Sequence, residues 1–248
     1  MVKTMIVKEF DTNKGLYFFE FEDDVETEYH KHPAIEVIIA KYGTFTLWNG
    51  LEGFSNLKFA IIGANQKHRL CAKNCGLKVF MFEHHNKQIN DCLTFAKIDL
   101  KNGFFIESLY EKAHKTIDVI LQQTMKGSFA TEYDRRIRTV IDFLNTNTYE
   151  HSITIKKLQS VTNLSESRLS HLFKTNVGIS LKKYLVWVKL KSAIKEHLNN
   201  KEDLFYALIN SGFYDQPHFS KSFKSMLGIK PSKAYNSRTV QVLPVNPS

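Results

Sequence analysis

The chain has 248 residues, 43% of them hydrophobic, and carries 34 Lys plus Arg against 25 Asp plus Glu, a net charge of +9. This length suffices for one large domain or two modest ones, and the composition excludes a disordered or fibrous protein. Three cysteines provide no disulfide framework, so we expect reduced thiols. The sequence shows neither a signal peptide nor a run of roughly 18 apolar residues, and we therefore expect a cytoplasmic protein without membrane contact.

The positive charge is concentrated in the last two fifths of the chain. Residues 1–127 carry 16 basic and 16 acidic side chains, residues 128–150 carry 3 and 4, and residues 151–248 carry 15 and 5. The C-terminal part therefore has a net charge of +10. A neutral module joined to a basic one favours binding of a polyanion, although a solvated basic face without a function gives the same composition.

Strand patterns occupy the first hundred residues. Runs rich in β-branched and aromatic residues alternate with turn residues, and short strands at this spacing predict a small barrel or sandwich. The predicted strands are 16–22, 34–40, 44–48, 57–62 and 77–83.

From about residue 106 the apolar residues follow the three-and-four spacing of a helix, which ends at Gly127. This helix, predicted over 106–127, has more apolar surface than a lone helix can bury. It packs on the β domain, on a copy of itself in a homodimer, or on both, and the sequence leaves these alternatives open.

The C-terminal part contains an internal repeat with an offset of fifty residues. Residues 165–179 align with residues 215–229, and five of the fifteen positions are identical. In each copy a short helix is followed by a tight turn and by a second helix, which begins after a polar N-cap residue and ends at a glycine. This is the anatomy of a helix-turn-helix unit. The units are predicted at about 155–174 and 204–224, with a linking helix at 181–198 between them.

The second helix of each unit has a polar and basic face opposite its apolar stripe. Such side chains can reach base edges and phosphates in a DNA major groove while the stripe packs inward. The predicted base-reading residues are Ser167, Arg168, Ser170, His171, Gln216, Pro217, His218 and Lys221. The predicted phosphate contacts are Ser165, Lys174, Lys182 and Lys224. The linking helix spans about 27 Å, so the two reading helices can lie near one duplex turn apart.

These motifs resemble the double helix-turn-helix domain of AraC/XylS-type bacterial transcription regulators. LSESRLSHLFKTNVGISLKKYL resembles the first unit of that family and SGFYDQPHFSKSFKSMLGIKPS the second, and the resemblance covers about residues 131–238. It implies a sequence-specific DNA-binding regulator, an activator by analogy, with double-stranded DNA and RNA polymerase as partners. It also implies an all-α domain at 131–238, followed by a tail at 239–248.

Residues 5–95 resemble the cupin-like sensing domain common in this family, which implies an all-β module over 1–105 that senses a small molecule or mediates dimerisation. His30, His32, Glu36 and His68 reproduce the histidine and glutamate positions of the cupin motifs. We expect these four residues to line an effector pocket and to hold no metal cofactor. The alternative is a divalent metal ion, because three imidazoles and a carboxylate can enclose one.

Three functions from different classes follow. The leading hypothesis is a DNA-binding transcription regulator without enzymatic activity. The second is a cupin metalloenzyme with an appended helical region. The third takes the β module and the helix at 106–127 as an oligomerisation module without a ligand.

Overall fold

A computed structural model describes residues 5–12, 15–22, 24–83, 87–100, 103–108, 133–147, 153–200, 204–231 and 240–242. The chain divides into two compact units, one formed by Met1–Thr131 with Lys224–Ser248 and the other by Glu132–Phe223. The predicted division into a sheet-rich N-terminal part and a helical C-terminal part is confirmed. Within the described residues, no helix has the length and apolar character needed to span a bilayer.

Two β-sheets form the first unit. The larger sheet has the strand order β10-β7-β4-β9-β2-β1-β11 and the smaller one the order β3-β8-β5-β6. The strands are β1 (Met5–Asp11), β2 (Leu16–Phe21), β3 (Val25–Glu26), β4 (Ala34–Ala40), β5 (Phe45–Trp48), β6 (Gly53–Leu57), β7 (Phe59–Ile62), β8 (Arg69–Ala72), β9 (Leu77–Glu83), β10 (Phe104–Glu107) and β11 (Val240–Val242).

The five strands predicted from the sequence are present, but the run at 57–62 is divided between two strands. Leu57 ends β6 in the smaller sheet and Phe59 begins β7 in the larger one. Lys58 lies at the transition, where its N–H donates to the carbonyl oxygen of Glu107 at 3.1 Å. The sequence patterns did not predict strands β1, β3 and β8, residues 53–56 of β6, or a helix, α1 (Lys87–Phe95).

The predicted helical start at residue 106 is wrong, because Phe104–Glu107 form β10. This strand runs antiparallel to β7, with Ile106 opposite Ala60. The open side of β7 provides backbone partners for β10, and this ladder overrides the local helical spacing. Residues 109–127 of the predicted helix, with their possible dimer contact, lie outside the described residues. In the predicted tail, Val240–Val242 form β11 and pair in parallel with β1.

Strand β4 is buried along its whole length. Successive strand residues point to opposite faces of a sheet. Ile35, Val37 and Ile39 lie on one face, in a hydrophobic cluster that also contains Ile89 and Leu93 of α1. Glu36 lies on the opposite face, and it is also buried. Helix α1 therefore covers one side of the larger sheet and leaves the polar residue of β4 on the other.

Helices form the second unit and continue to Leu227. They are α2 (Arg135–Thr146), α3 (Ile155–Thr162), α4 (Glu166–Val177), α5 (Leu181–Asn200), α6 (Leu204–Asn210) and α7 (Gln216–Leu227). Helices α3 and α4 form the first helix-turn-helix unit, α5 is the linking helix, and α6 and α7 form the second unit. The predicted duplication is confirmed by this order.

Each second helix of the duplicated unit is anchored by aromatic rings. Phe173 of α4 is buried with its ring centroid 5.1 Å from that of Tyr184 in α5. The ring centroid of Phe219 in α7 lies 5.1 Å from that of Phe213 and 5.6 Å from that of Phe223. All three rings are buried. These rings form the apolar stripe that fixes which face of α4 and of α7 is turned outward.

The ends of these helices follow the sequence signals. The Ser165 hydroxyl accepts from the N–H of Arg168 at the start of α4, and the Asp215 carboxylate accepts from the N–H of His218 at the start of α7. Gly178 and Gly228, which follow the two helices, have φ of 76° and 71°. This left-handed conformation is strained for residues with a Cβ, and glycine therefore ends the helix in both copies.

We expect Phe173→Ala to lower the free energy of unfolding by about 3–5 kcal/mol, because truncation of a buried ring leaves a cavity. Tyr214→Ala is the matched control, since that side chain is 89% exposed. It should change stability by less than about 0.5 kcal/mol. Denaturant titration followed by circular dichroism measures both, and equal losses would contradict the assigned core.

Candidate functional site

Helix α4 presents its predicted reading residues on one face. Ser167, Arg168, His171 and Lys174 are exposed, and Ser170 is half-buried. Leu169, Phe173 and Val177 on the opposite face are buried. A polar face of this width, backed by a packed apolar stripe, is the surface that a recognition helix inserts into a major groove.

Helix α7 repeats this arrangement. Gln216, Pro217, His218 and Lys221 are exposed at its start and along one face. The His218 ring is tilted edge-on to Phe213, with 5.4 Å between ring centroids. His218 therefore also packs against the turn that precedes α7, whereas Lys221 extends from the middle of the helix.

The predicted phosphate contacts differ in their surroundings. Ser165 caps α4, and Lys182 is exposed in the first turn of α5. Lys224, which is grouped with the first unit, has its Nζ 2.7 Å from Oε1 of Glu28. A phosphate would have to compete with this carboxylate for Lys224, which makes the exposed Lys174 the clearer candidate for a phosphate contact.

Two further residues near the turn of the second helix-turn-helix unit were not among the predicted site residues. Lys189 of the linking helix donates from Nζ to the carbonyl oxygen of Gly212 at 2.9 Å, and thus holds the turn between α6 and α7 against α5. Tyr214 is almost fully exposed beside the N-cap residue Asp215. The sequence contained a signal for this exposure, because Tyr214 is an aromatic residue that lies outside the apolar stripe.

The four residues predicted to line an effector pocket lie together in the first unit. His30 and His68 face each other across an antiparallel backbone bridge, with N–H to carbonyl distances of 2.9 and 3.0 Å. The carbonyl of His32 accepts from the N–H of Asn65 at 2.8 Å, and Glu36 extends from β4. One potential ligand atom from each of these residues lies within 4.8 Å of the others, and all four residues are buried.

Each imidazole of this histidine cluster is oriented by a backbone carbonyl. The distance from Nδ1 to the carbonyl oxygen is 2.9 Å for His30 with Glu28 and 3.0 Å for His32 with Ala34. For His68 with Gln66 it is 2.9 Å. A carbonyl oxygen only accepts hydrogen bonds, so Nδ1 carries the hydrogen in each ring. The Nε2 atoms are thereby left on the side of Glu36, whose Oε2 lies 3.3 Å from Nε2 of His32 and 3.0 Å from that of His68.

The electrostatics of the histidine cluster keep Glu36 ionised and His30 neutral. Burial by itself would raise the pKa of Glu36, but hydrogen bonding from His32 and His68, together with the positive charge of these side chains when they are protonated, holds the pKa below its usual range. Burial, together with the neighbouring imidazoles, lowers the pKa of His30 to about 3. At neutral pH the interior of the first unit therefore contains a carboxylate beside at least one unprotonated imidazole.

The cysteines are separate from this cluster. Cys75 and Cys92 are buried and Cys71 is half-buried, and none forms a disulfide. Burial raises the pKa of the Cys75 thiol to about 11 and raises that of Cys92 as well. Neither buried thiol is a reactive nucleophile at neutral pH.

The family comparison matches the helical part of the chain. A helix-turn-helix family model covers residues 158–237, which include both duplicated units and the linking helix. The matched relatives are named as operon regulators. Residues 158–237 are similar to the helix-turn-helix domain of AraC/XylS-type regulators, and we refer to them below as the AraC-type domain. The sequence motifs predict this domain over residues 131–238.

Two curated relatives illustrate the similarity of the AraC-type domain. The lactose operon transcription activator of Staphylococcus xylosus is 29% identical over 116 residues, which are 46% of this chain and 41% of that protein. The arabinose operon regulatory protein of Escherichia coli (strain K12) is 29% identical over 111 residues, 45% of this chain and 38% of that protein. The chain thus spans about two fifths of the length of each relative.

The fold of most of the chain is similar to that of ToxT from Vibrio cholerae O395. The TM-score is 0.59 at 10% sequence identity, over 90% of this chain and 97% of that one. The likeness extends beyond the AraC-type domain and therefore includes the sheet-rich part. At this level of identity it shows a shared fold and nothing further.

We expect Cys71 to be alkylated by iodoacetamide at pH 8 well before Cys75 and Cys92, because the buried thiols are shielded and remain protonated. Mass spectrometry of peptides after timed quenching measures the three rates. The control is the protein in denaturant, where all three rates should become similar. Equal rates in the native protein would contradict the burial of Cys75.

Proposed function

We propose that the protein is a sequence-specific DNA-binding transcription regulator, in which the AraC-type domain binds duplex DNA and the sheet-rich unit regulates it. The observation that carries this proposal is the duplicated helix-turn-helix, with both α4 and α7 turning a polar and basic face outward. The matched relatives are named as operon regulators and support the same class.

The proposed DNA contacts are of two kinds, contacts to base edges and contacts to phosphates. Side chains near the start and middle of α4 and α7 would read base edges, since Arg, Lys and Gln have donors that match purine acceptors in the major groove. Lysines at the margins would bind phosphates and fix the register of the domain without reading sequence. The net charge of +10 over residues 151–248 supports a strong electrostatic contribution.

The N-terminal unit would supply regulation through a small molecule, through dimerisation, or through both. A structure of ToxT from Vibrio cholerae was determined with a bound unsaturated fatty acid, and other relatives are named for sugar operons. Effector and operator would each favour one arrangement of the regulator, so that each alters the affinity for the other.

Activation of transcription is the direction that we propose, with RNA polymerase as a partner and a homodimer as the active state. The name of the Staphylococcus xylosus relative, a transcription activator, supports this direction. A bacterial regulator of this type would act in the cytoplasm on the nucleoid. The matched relatives give no support to the cupin metalloenzyme hypothesis.

DNA affinity should fall steeply with salt, because binding releases counterions from phosphates. A regulator that neutralises about 6–10 phosphates loses roughly 10³–10⁵ in affinity between 50 and 200 mM salt. Genome-wide mapping of occupied sites provides the duplex, and fluorescence anisotropy over a salt series measures its affinity. An affinity that hardly changes with salt would contradict the DNA-binding proposal.

Substitutions on the exposed faces should distinguish side chains that contact bases from side chains that contact phosphates. Lys221→Ala and, separately, His171→Ala are expected to weaken binding to the preferred duplex by about 1–3 kcal/mol and to relax its sequence preference. Lys174→Ala should weaken binding to preferred and scrambled duplexes by about the same factor. Ser225→Ala, an exposed position near the end of α7, is the control. A changed sequence preference in Lys174→Ala would contradict the assignment of Lys174 to a phosphate contact.

A further inference from the structure

Helix α5 connects the two helix-turn-helix units, and it holds the two reading helices in different ways. Residues 178–180 separate α4 from α5, and Phe173 of α4 packs on Tyr184 of α5 with 5.1 Å between ring centroids. Helix α7 is not adjacent to α5 in the chain, because α6 and a turn lie between them. The position of α7 relative to α4 therefore depends on how α6 and its turn are held on α5.

The turn between α6 and α7 is closed by its own backbone hydrogen bonds. The N–H of Gly212 donates to the carbonyl oxygen of Ile209 at 2.9 Å, and that of Phe213 donates to Leu208 at 3.1 Å. These two bonds form a Schellman motif, in which Gly212 has a left-handed φ of 78°. The Phe213 ring is buried against Phe219 of α7. The turn is therefore joined firmly both to the end of α6 and to α7.

Two polar contacts attach this turn and the end of α6 to α5. Nζ of Lys189 donates to the carbonyl oxygen of Gly212 at 2.9 Å. Nδ2 of Asn210, the last residue of α6, donates to Oε1 of Glu196 at 2.7 Å. Lys189 and Glu196 are about two helical turns apart in the sequence, so they lie on the same face of α5. We call these two hydrogen bonds the linking-helix contacts.

The linking-helix contacts restrict the register of α6 on α5 more tightly than apolar packing does. Leu190 and Ile194 of α5 and Ala207 of α6 are buried. Their burial is favourable in any arrangement that removes them from water, because the hydrophobic effect is not directional. A hydrogen bond is directional, and it is lost once donor and acceptor are about 3.6 Å apart. At 2.9 Å, the bond from Lys189 tolerates a displacement of less than about 1 Å.

A displacement of this size is small compared with one step along DNA. Adjacent base pairs lie about 3.4 Å apart along the duplex and are rotated by about 35° relative to each other. One additional base pair between the segments read by α4 and α7 therefore requires a larger movement of α7 than the linking-helix contacts tolerate. A domain with these contacts intact should consequently distinguish operators by their spacing.

We propose that Lys189 and Glu196 are positioning residues that set the spacing between the two DNA segments read by α4 and α7. This inference rests on the proposed DNA-binding function. Neither side chain has to touch DNA, because Lys189 acts through the turn before α7 and Glu196 acts through the end of α6. An operator with one base pair more or fewer between the two segments would bind weakly, although it contains the same bases to be read.

Spacing selectivity is measured on the whole chain by fluorescence anisotropy. The duplex comes from genome-wide mapping of occupied sites, and hydroxyl-radical footprinting of the unsubstituted protein locates the two segments. Altered duplexes have one base pair inserted or deleted between these segments. The quantity compared between variants is the spacing ratio, the affinity for the native duplex divided by the affinity for an altered one.

Lys189→Met keeps most of the apolar stem and removes the donor. We expect it to lower the spacing ratio by roughly tenfold, because a hydrogen bond to a charged group contributes about that factor to an equilibrium constant. Lys189→Arg keeps a cationic donor and should retain most of the ratio. Glu196→Ala should lower the ratio by a smaller factor, since water competes for this exposed contact.

The charge-matched control is Lys183→Met, which removes a lysine from an exposed position of α5. It should leave the spacing ratio unchanged, even if it weakens binding to every duplex. Circular dichroism verifies folding of each variant, and if Lys189→Met does not fold, Glu196→Ala alone decides. An unchanged spacing ratio in the folded variants would overturn the positioning role and leave the DNA-binding proposal intact. Failure of the unsubstituted protein to bind any duplex would overturn both.

Discussion

The burial of both faces of strand β4 is the constraint on which the first unit depends. Its outer face packs against α1 through aliphatic side chains, and its inner face contains Glu36. A carboxylate in that position requires compensation, since an isolated buried charge is strongly destabilising. The backbone bridge between His30 and His68 brings the compensating imidazoles to it. The polar interior is therefore a consequence of how the central strand is covered.

A different constraint organises the AraC-type domain. Each short helix has one apolar stripe, and that stripe must be buried against a neighbour because an isolated short helix is marginal in water. The aromatic residues Phe173, Phe219 and Phe223 satisfy this requirement. Burial of the stripe leaves the opposite face exposed, and in both α4 and α7 that face has the polar and basic residues. Packing and the proposed DNA recognition thus use opposite sides of the same helix.

The parts of the fold that the sequence predicted well are those with strong local signals. Strand runs such as 34–40 and 77–83 combine β-branched residues with bounding turns, and the caps Ser165 and Asp215 mark helix starts directly. Strand β3 has only two residues and becomes a strand through its partner β8, so its local signal is weak. Helix α1 did have a signal, because Ile89, Cys92 and Leu93 follow helical spacing, but its polar residues obscured it.

By itself, the sequence determined the two-part organisation, the duplicated helix-turn-helix and the residues on its exposed faces. These features depend on periodicity, capping and repetition, which are local properties of the chain. Only the tertiary structure decided that Phe104–Glu107 form a strand, because a ladder with β7 outweighs the helical spacing. It also decided the separation and orientation of the histidine cluster. Those depend on backbone hydrogen bonds between residues more than thirty positions apart, which no local pattern encodes.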